Sequence, residues 1–164
     1  PVPPAGVVPV RHFEASRYLG KWYEIMRLDN RFERGLQQVT ATYSPRRDGS
    51  IRVINQGYDP VAQRWKASEG KALFTGRPDV AALKVSFFGP FYGGYNVIAL
   101  DEHYQYALVS GPNRRYLWLL SRTPHMPHPV REHFIQLAKQ LHFPVEQLIV
   151  GPQAALPAEQ PASR

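Results

Sequence analysis

Between residues 21 and 122 the chain alternates short runs rich in Val, Ile, Tyr, Phe and Thr with clusters of turn-forming residues at even intervals. That is the pattern of an all-β domain. The runs predict eight strands, at 21–29, 36–44, 50–58, 64–75, 81–89, 94–101, 104–110 and 115–122. Between them stand Arg47-Asp48-Gly49, Asp59-Pro60, Gly76-Arg77-Pro78-Asp79, Gly89-Pro90 with Gly93-Gly94, Asp101-Glu102-His103 and Gly111-Pro112-Asn113. Each puts glycine, proline or a short polar side chain where a tight turn needs one. Connections this short make consecutive strands antiparallel neighbours.

After the last run the period changes. Val130, Phe134, Leu137, Ala138 and Leu141 recur at helical steps with Arg131, Glu132, Gln136, Lys139 and Gln140 between them, which predicts one amphipathic helix starting after Pro129 and ending before Pro144. Its apolar stripe needs a surface, and the outside of the sheet is the large one on offer. Sequential links without a long crossover favour a closed up-and-down barrel over a sandwich, and closure removes exposed edges. The expected fold is therefore an all-β, eight-stranded antiparallel barrel with one C-terminal helix packed outside. A barrel of eight strands is just wide enough to be filled by side chains or to hold one slim ligand.

At 164 residues the chain fits one domain. Residues 1–10 hold four prolines and residues 152–164 three, with no periodic pattern, so both read as flexible tails around a domain at 11–151. No apolar run approaches the roughly 20 residues of a membrane-spanning helix. The absence of cysteine excludes disulfides, thiolate nucleophiles and cysteine-held metals. The net charge of +7 raises the question of an anionic partner, but no segment interleaves basic and aromatic residues as single-strand binders do, so no nucleic acid is expected. His125, His128 and His133 straddle two prolines at no regular ligand spacing, and neither metal nor cofactor is expected.

Certain strings carry a resemblance. Gly20-Lys21-Trp22-Tyr23-Glu24 opens the first strand, Leu100-Asp101-Glu102-His103-Tyr104 lies between the sixth and seventh, and Arg122 ends the eighth. Longer strings are more specific: Phe32-Glu33-Arg34-Gly35-Leu36, Val85-Ser86-Phe87-Phe88-Gly89-Pro90-Phe91-Tyr92-Gly93-Gly94-Tyr95 and Trp118-Leu119-Leu120-Ser121-Arg122-Thr123-Pro124. Together they resemble the lipocalins, above all the bacterial outer-membrane lipoprotein type and its relative apolipoprotein D, from about residue 13 to 150. Leu100 stands where the family has threonine, and the lipid-carrying cysteine with which bacterial lipocalins usually begin is absent from this chain. The resemblance makes Gly20, Trp22, Asp101, Tyr104 and Arg122 a structural signature. An indole would plug the closed end, with a guanidinium over its face donating to nearby carbonyls.

Alternation selects the inward rows. Val39, Ala41 and Tyr43 contrast with Gln38, Thr40 and Thr42; Ile51, Val53 and Asn55 with Arg52, Ile54 and Gln56; Leu83, Val85 and Phe87 with Lys84, Ser86 and Phe88. In the eighth strand Tyr116, Trp118 and Leu120 oppose Leu117 and Leu119, and the pattern alone leaves the face open. Likeness to apolipoprotein D implies pocket positions at Tyr43, Asn55, Phe87 and Trp118. Val53 and Val85 join them as ligand contacts, although a filled core would use them equally well. Tyr43, Asn55 and Trp118 carry polar atoms inward that a ligand head or a water would have to satisfy. Glu24 and Met26 share the parity of Trp22 and are expected inward too, the glutamate held by a local hydrogen bond or an arginine.

The expected function is binding, storage or transport of fatty acids, lysophospholipids or similar single-chain lipids in the bacterial envelope. The expected place is the periplasmic side of the outer membrane, by family resemblance and through a lipid anchor this chain lacks, or the soluble periplasm without one. No catalysis is expected. A lipocalin-type enzyme acting on a lipophilic substrate is the alternative, and a homodimer through the open end stays open.

Overall fold

The computed structural model describes residues 3–88 and 91–151, with backbone alone at Phe88 and Phe91. A short helix, α1 (Ala15–Tyr18), leads into β1 (Gly20–Leu28), β2 (Gln37–Pro45), β3 (Ile51–Asp59), β4 (Arg64–Phe74), β5 (Ala82–Phe88), β6 (Phe91–Leu100), β7 (Tyr106–Ser110) and β8 (Leu117–Ser121). Each strand pairs antiparallel with the next, and β1 pairs with both β8 and β2, closing an eight-stranded barrel. Helix α2 (His128–Gln140) follows, with Pro129 in its first turn where the missing N–H costs nothing.

The elements differ from their sequence-based ranges in instructive places. The run at 104–110 starts late, at Tyr106, because the Asp101 carboxylate accepts the backbone N–H groups of Gln105 and Tyr106, both at 2.7 Å, and holds the turn. Gly93 and Gly94, expected in a turn with Gly89-Pro90, are strand residues opposite Val85 and Lys84, and residues 89–90 lie outside the described residues. A register shift between Val85 and Phe88 accompanies them, and glycine within a strand commonly marks such an irregularity. A 3-10 turn (Val145–Gln147) and a ninth strand, β9 (Leu148–Val150), were not foreseen; β9 takes the β1 edge at Met26, Arg27 and Leu28, where β2 has already left it. Residues 4–10 are no free tail: Val7 is buried at 3% exposure, Val10 bonds to Val97 and Ala81, and Arg114 donates to the Ala5 carbonyl. The tail at 152–164 lies outside the described residues.

Two apolar clusters share the barrel wall. The inner one joins Trp22, Tyr43, Val53, Leu83, Val97 and Leu120, with Val85, Phe87 and Trp118 packed on it. The outer one joins Ile98, Leu108, Leu117 and Leu119 to Phe134 and Ala138 of α2. Alternation along β8 thus sends Trp118 and Leu120 inward and Leu117 and Leu119 under the helix, which settles the face the pattern left open. Met26 is a correction. A bulge in β1 between Glu24 and Met26 shifts the register by one residue, so Met26 joins the outer cluster and Arg27 takes the inward position. A single-residue slip exchanges the two faces of a strand.

The closed end is built around Trp22, which has no exposed surface. Its Nε1 donates to the Tyr18 carbonyl at 2.8 Å, and the Arg122 guanidinium sits 4.0 Å above its ring. Arg122 also donates to the carbonyls of Tyr104, Lys21 and Arg17 at 3.0, 3.1 and 2.8 Å. Gly20 has φ +101, and a Cβ there would lie 3.3 Å from the guanidinium, so both the backbone and the close approach favour glycine. Trp22→Ala is expected to destabilise the fold by about 3–5 kcal/mol, measured by denaturant unfolding; a change below about 1 kcal/mol would show that the indole does not hold the closed end.

Candidate functional site

On β5 and β8 the inward residues become more exposed away from the closed end, whereas on β1 and β2 Arg27 and Val39 stay buried. On β5 Leu83 is buried while Val85 and Phe87 are partly exposed; on β8 Leu120 is buried and Trp118 partly exposed; on β3 Val53 is buried and Asn55 partly exposed; on β6 Val97 is buried and Tyr95 partly exposed. Apolar side chains that point inward and still meet solvent must line an open lumen. The barrel is therefore a cup whose mouth lies at the β1–β2, β3–β4, β5–β6 and β7–β8 connections. Phe87 reaches across the wall beside Gly70, where a Cβ would come within 2.6 Å of its ring, so the absence of a side chain makes room for the phenyl group.

At the bottom stand three tyrosines. Tyr95 Oη lies 2.6 Å from Tyr18 Oη and 2.8 Å from Tyr43 Oη, and the Tyr18 ring packs on Trp22 with centroids 4.9 Å apart. Burial raises the pKa of all three phenols, so they stay neutral. Two links among three hydroxyls leave one O–H proton without an acceptor in the trio. A void of about 20 Å³ remains beside them among Phe13, Leu83 and Val85, a volume that suits about one water. The floor a ligand would meet is this trio, one layer above Trp22.

Higher in the cup lies a buried ion cluster. Arg27, 3% exposed, donates from Nη1 to Glu24 at 2.9 Å and from Nε to Asp29 at 3.0 Å, and its Nη2 reaches the carbonyls of Glu33 and Leu36. Glu33 Oε1 is 3.8 Å from the same guanidinium, and Glu33 Oε2 accepts the Trp118 indole N–H at 2.8 Å. Burial, and next the Glu33 carboxylate, push the Glu24 carboxyl well above the ordinary range despite the arginine. Burial works against the charge on Arg27, but Glu24, Glu33 and Asp29 outweigh it and raise its pKa. Glu24 thus holds its proton more tightly than a free carboxyl beside a guanidinium whose donors are engaged, and no bare cation faces the lumen from this cluster.

Of the residues expected to meet a ligand, Tyr43, Val53, Val85, Phe87 and Trp118 gather on the inner cluster, and Asn55 stands one inward step above Val53. Two of the three interior polar atoms find protein partners, Tyr43 in the trio and Trp118 on Glu33. Asn55 has no side-chain hydrogen-bond partner among the described residues. Gly20, Trp22, Asp101, Tyr104 and Arg122 meet at the closed end, where the Tyr104 hydroxyl also accepts the Glu14 N–H at 3.0 Å. Sequence reasoning missed Tyr18, Tyr95, Arg27 and Glu33. Tyr95 could have been found from its parity with Val97; Arg27 could not, because the bulge hides it. Among the described residues no histidine cluster able to hold a metal is present.

The lipocalin-like domain family matches residues 13–153. The outer membrane lipoprotein Blc of Citrobacter freundii is 60% identical over 149 residues, 91% of this chain and 84% of that protein. Apolipoprotein D of Rattus norvegicus is 31% identical over 123 residues, 71% of this chain and 64% of that protein. Insecticyanin from the tobacco hornworm Manduca sexta superposes with a TM-score of 0.72 at 19% identity, covering 92% of this chain and 87% of that one.

The ion cluster generates a pH test. A carboxyl whose pKa is higher folded than unfolded gives stability that is complete below the unfolded value, near 4.5, and lost as pH rises through the folded value. Glu24→Gln keeps a neutral partner for Arg27 and removes the titration. Its stability relative to the parent should therefore increase as pH rises above 4.5, in chemical denaturation run across pH; a constant difference would mean that Glu24 is already ionised.

Proposed function

Because this chain belongs to the lipocalin family, we propose that it binds, stores or carries a fatty acid, a lysophospholipid or a similar single-chain lipid within its barrel. The observation that carries this reading is the partial exposure of the inward residues of β5 and β8 beyond Leu83 and Leu120, which leaves Val85, Phe87 and Trp118 as an apolar wall reachable from the mouth. Each methylene moved from water onto such a wall contributes roughly 0.8 kcal/mol, while a polar head at the mouth stays wet. Val53 and Tyr43 form the deep contacts, and the unpartnered amide of Asn55 is the polar group placed to meet an oxygen of the lipid.

The reading is of a binding protein. The groups best suited to proton transfer, Glu24 and the three phenols, are tied to one another or to Arg27 away from the mouth. For location, the bacterial relatives are named outer membrane lipoproteins, which supports placement in the envelope. We infer attachment to the periplasmic side of the outer membrane through a lipid anchor.

Affinity should rise with acyl chain length until the tail meets the tyrosine floor and fall beyond it, and one-chain lipids should bind better than two-chain lipids of the same head. A calorimetric series over chain length reads both, and flat affinity or a preference for two chains would move the lipid off the lumen. Trp118 should report the lipid directly. Fluorescence should respond to a long-chain fatty acid, and Trp118→Ala, with Trp22 and Trp65 kept, should remove most of that response; an undiminished signal would place the ligand elsewhere.

A further inference from the structure

We propose that the mouth of the barrel docks on an anionic lipid bilayer, with Phe32, Val61 and Trp65 as its apolar contacts and Arg31, Arg34, Arg64 and Arg115 as its charged ones. This surface is the rim, outside the lumen. Phe32, Val61 and Trp65 are 66%, 93% and 48% exposed, and the fold brings their segments side by side. Gln37 at the start of β2 pairs with Tyr58, and Tyr58 pairs with Trp65 across the β3–β4 hairpin. The hairpin outruns its other neighbour: β5 first meets β4 at Lys71, so residues 64–69 stand above the wall, exposed on both faces. Its tip is set firmly. Asp59 Oδ1 accepts the N–H groups of Val61 and Ala62, and the Tyr58 and Trp65 rings pack edge to face at 5.3 Å.

Charge at this end is one-sided. The acids near the rim each face a cation: Asp29 and Glu33 turn to Arg27, Asp59 holds Lys66 at 2.8 Å, and Glu69 lies 3.2 Å from Arg52. Arg31, Arg34, Arg64 and Arg115 are exposed and have no acidic partner among the described residues. At the closed end Arg17, Arg46 and Arg77 each face an acid, and the exposed Arg11 and Arg47, which have no acidic partner among the described residues, have no large exposed hydrophobic side chain beside them in the sequence. Unpaired arginines around an exposed indole, a phenyl ring and a valine suit the headgroup region of an anionic bilayer, where tryptophan and arginine both gain. The N-terminal segment agrees in direction. Ala5 is held by Arg114 in the β7–β8 connection, and the chain then runs to Val10 beside Val97, so it comes into the folded body from the mouth side.

The test uses this chain, with no lipid attached, and phosphatidylcholine vesicles with and without phosphatidylglycerol. Sedimentation should show binding that needs phosphatidylglycerol and weakens with salt. Replacing Arg31, Arg34 and Arg64 with Gln should lower partitioning about fivefold for each arginine. Phospholipids brominated on their acyl chains should quench Trp65, and Trp65→Phe should remove that part of the quenching; what remains reports lipid beside Trp118 in the lumen, so the two readings fail separately. Val61→Asp should reduce partitioning while the fatty-acid response of Trp118 stays intact, which shows that the variant is folded. Equal binding to both vesicle types, or partitioning unchanged in these variants, would overturn the proposal. So would a dimer, seen by ultracentrifugation, that Val61→Asp splits without altering vesicle binding, because the patch would then join two copies of the chain.

Discussion

Arg122 ties separate stretches of chain to the plane of one indole. It covers Trp22 and donates to the carbonyls of Arg17, Lys21 and Tyr104, so the approach to β1, the β6–β7 connection and the end of β8 are fixed at a single point. A barrel needs such a point because closure joins strands from opposite ends of the chain, and the β1–β2 seam is only four residue pairs long. With that end locked, the other can stay open. The lumen and the rim both depend on a floor that does not move.

The strand runs, the turns other than the one expected at 89–94 and the helical period were legible because each is local: alternation and turn chemistry within a few residues decide them. The inward rows of β2, β3 and β5 were legible for the same reason. What could not be read was set by contacts across long sequence distances. The β1 bulge breaks the parity that should have taken Met26 inward, and nothing in Glu24-Ile25-Met26-Arg27 announces it. Arg27, one step off the Trp22 parity, therefore drew no notice, although it is among the most buried charged residues described. Val7 was likewise assigned to a tail, since a proline-rich start has no period to show that it packs on the wall.

The ion cluster changes what the positive net charge means for a ligand. A surplus of basic residues suggests a lumen that would attract an anionic head, yet the cation inside it is consumed by Glu24, Glu33, Asp29 and two carbonyls. Breaking such a buried set would leave uncompensated charge, a cost of several kcal/mol. The cluster is therefore better suited to fixing the β1–β2 connection and orienting Trp118 than to holding a carboxylate. Any preference for anionic heads would have to come from the rim, where arginines stand unpaired.

An open lumen also poses a stability problem, because an apolar wall facing solvent contributes less than a filled core. The chain has no cysteine with which to compensate by cross-linking. The outer cluster supplies what the lumen withholds: Leu108, Leu117, Leu119 and Ala138 have no exposed surface, and Phe134 is 4% exposed. Because alternate residues of one strand serve the two clusters, β8 can hold Trp118 half open while Leu117 and Leu119 on either side are fully packed beneath α2. The helix lets the same strands be rigid on one face and receptive on the other. Close packing outside is the physical condition for a partly exposed apolar wall inside.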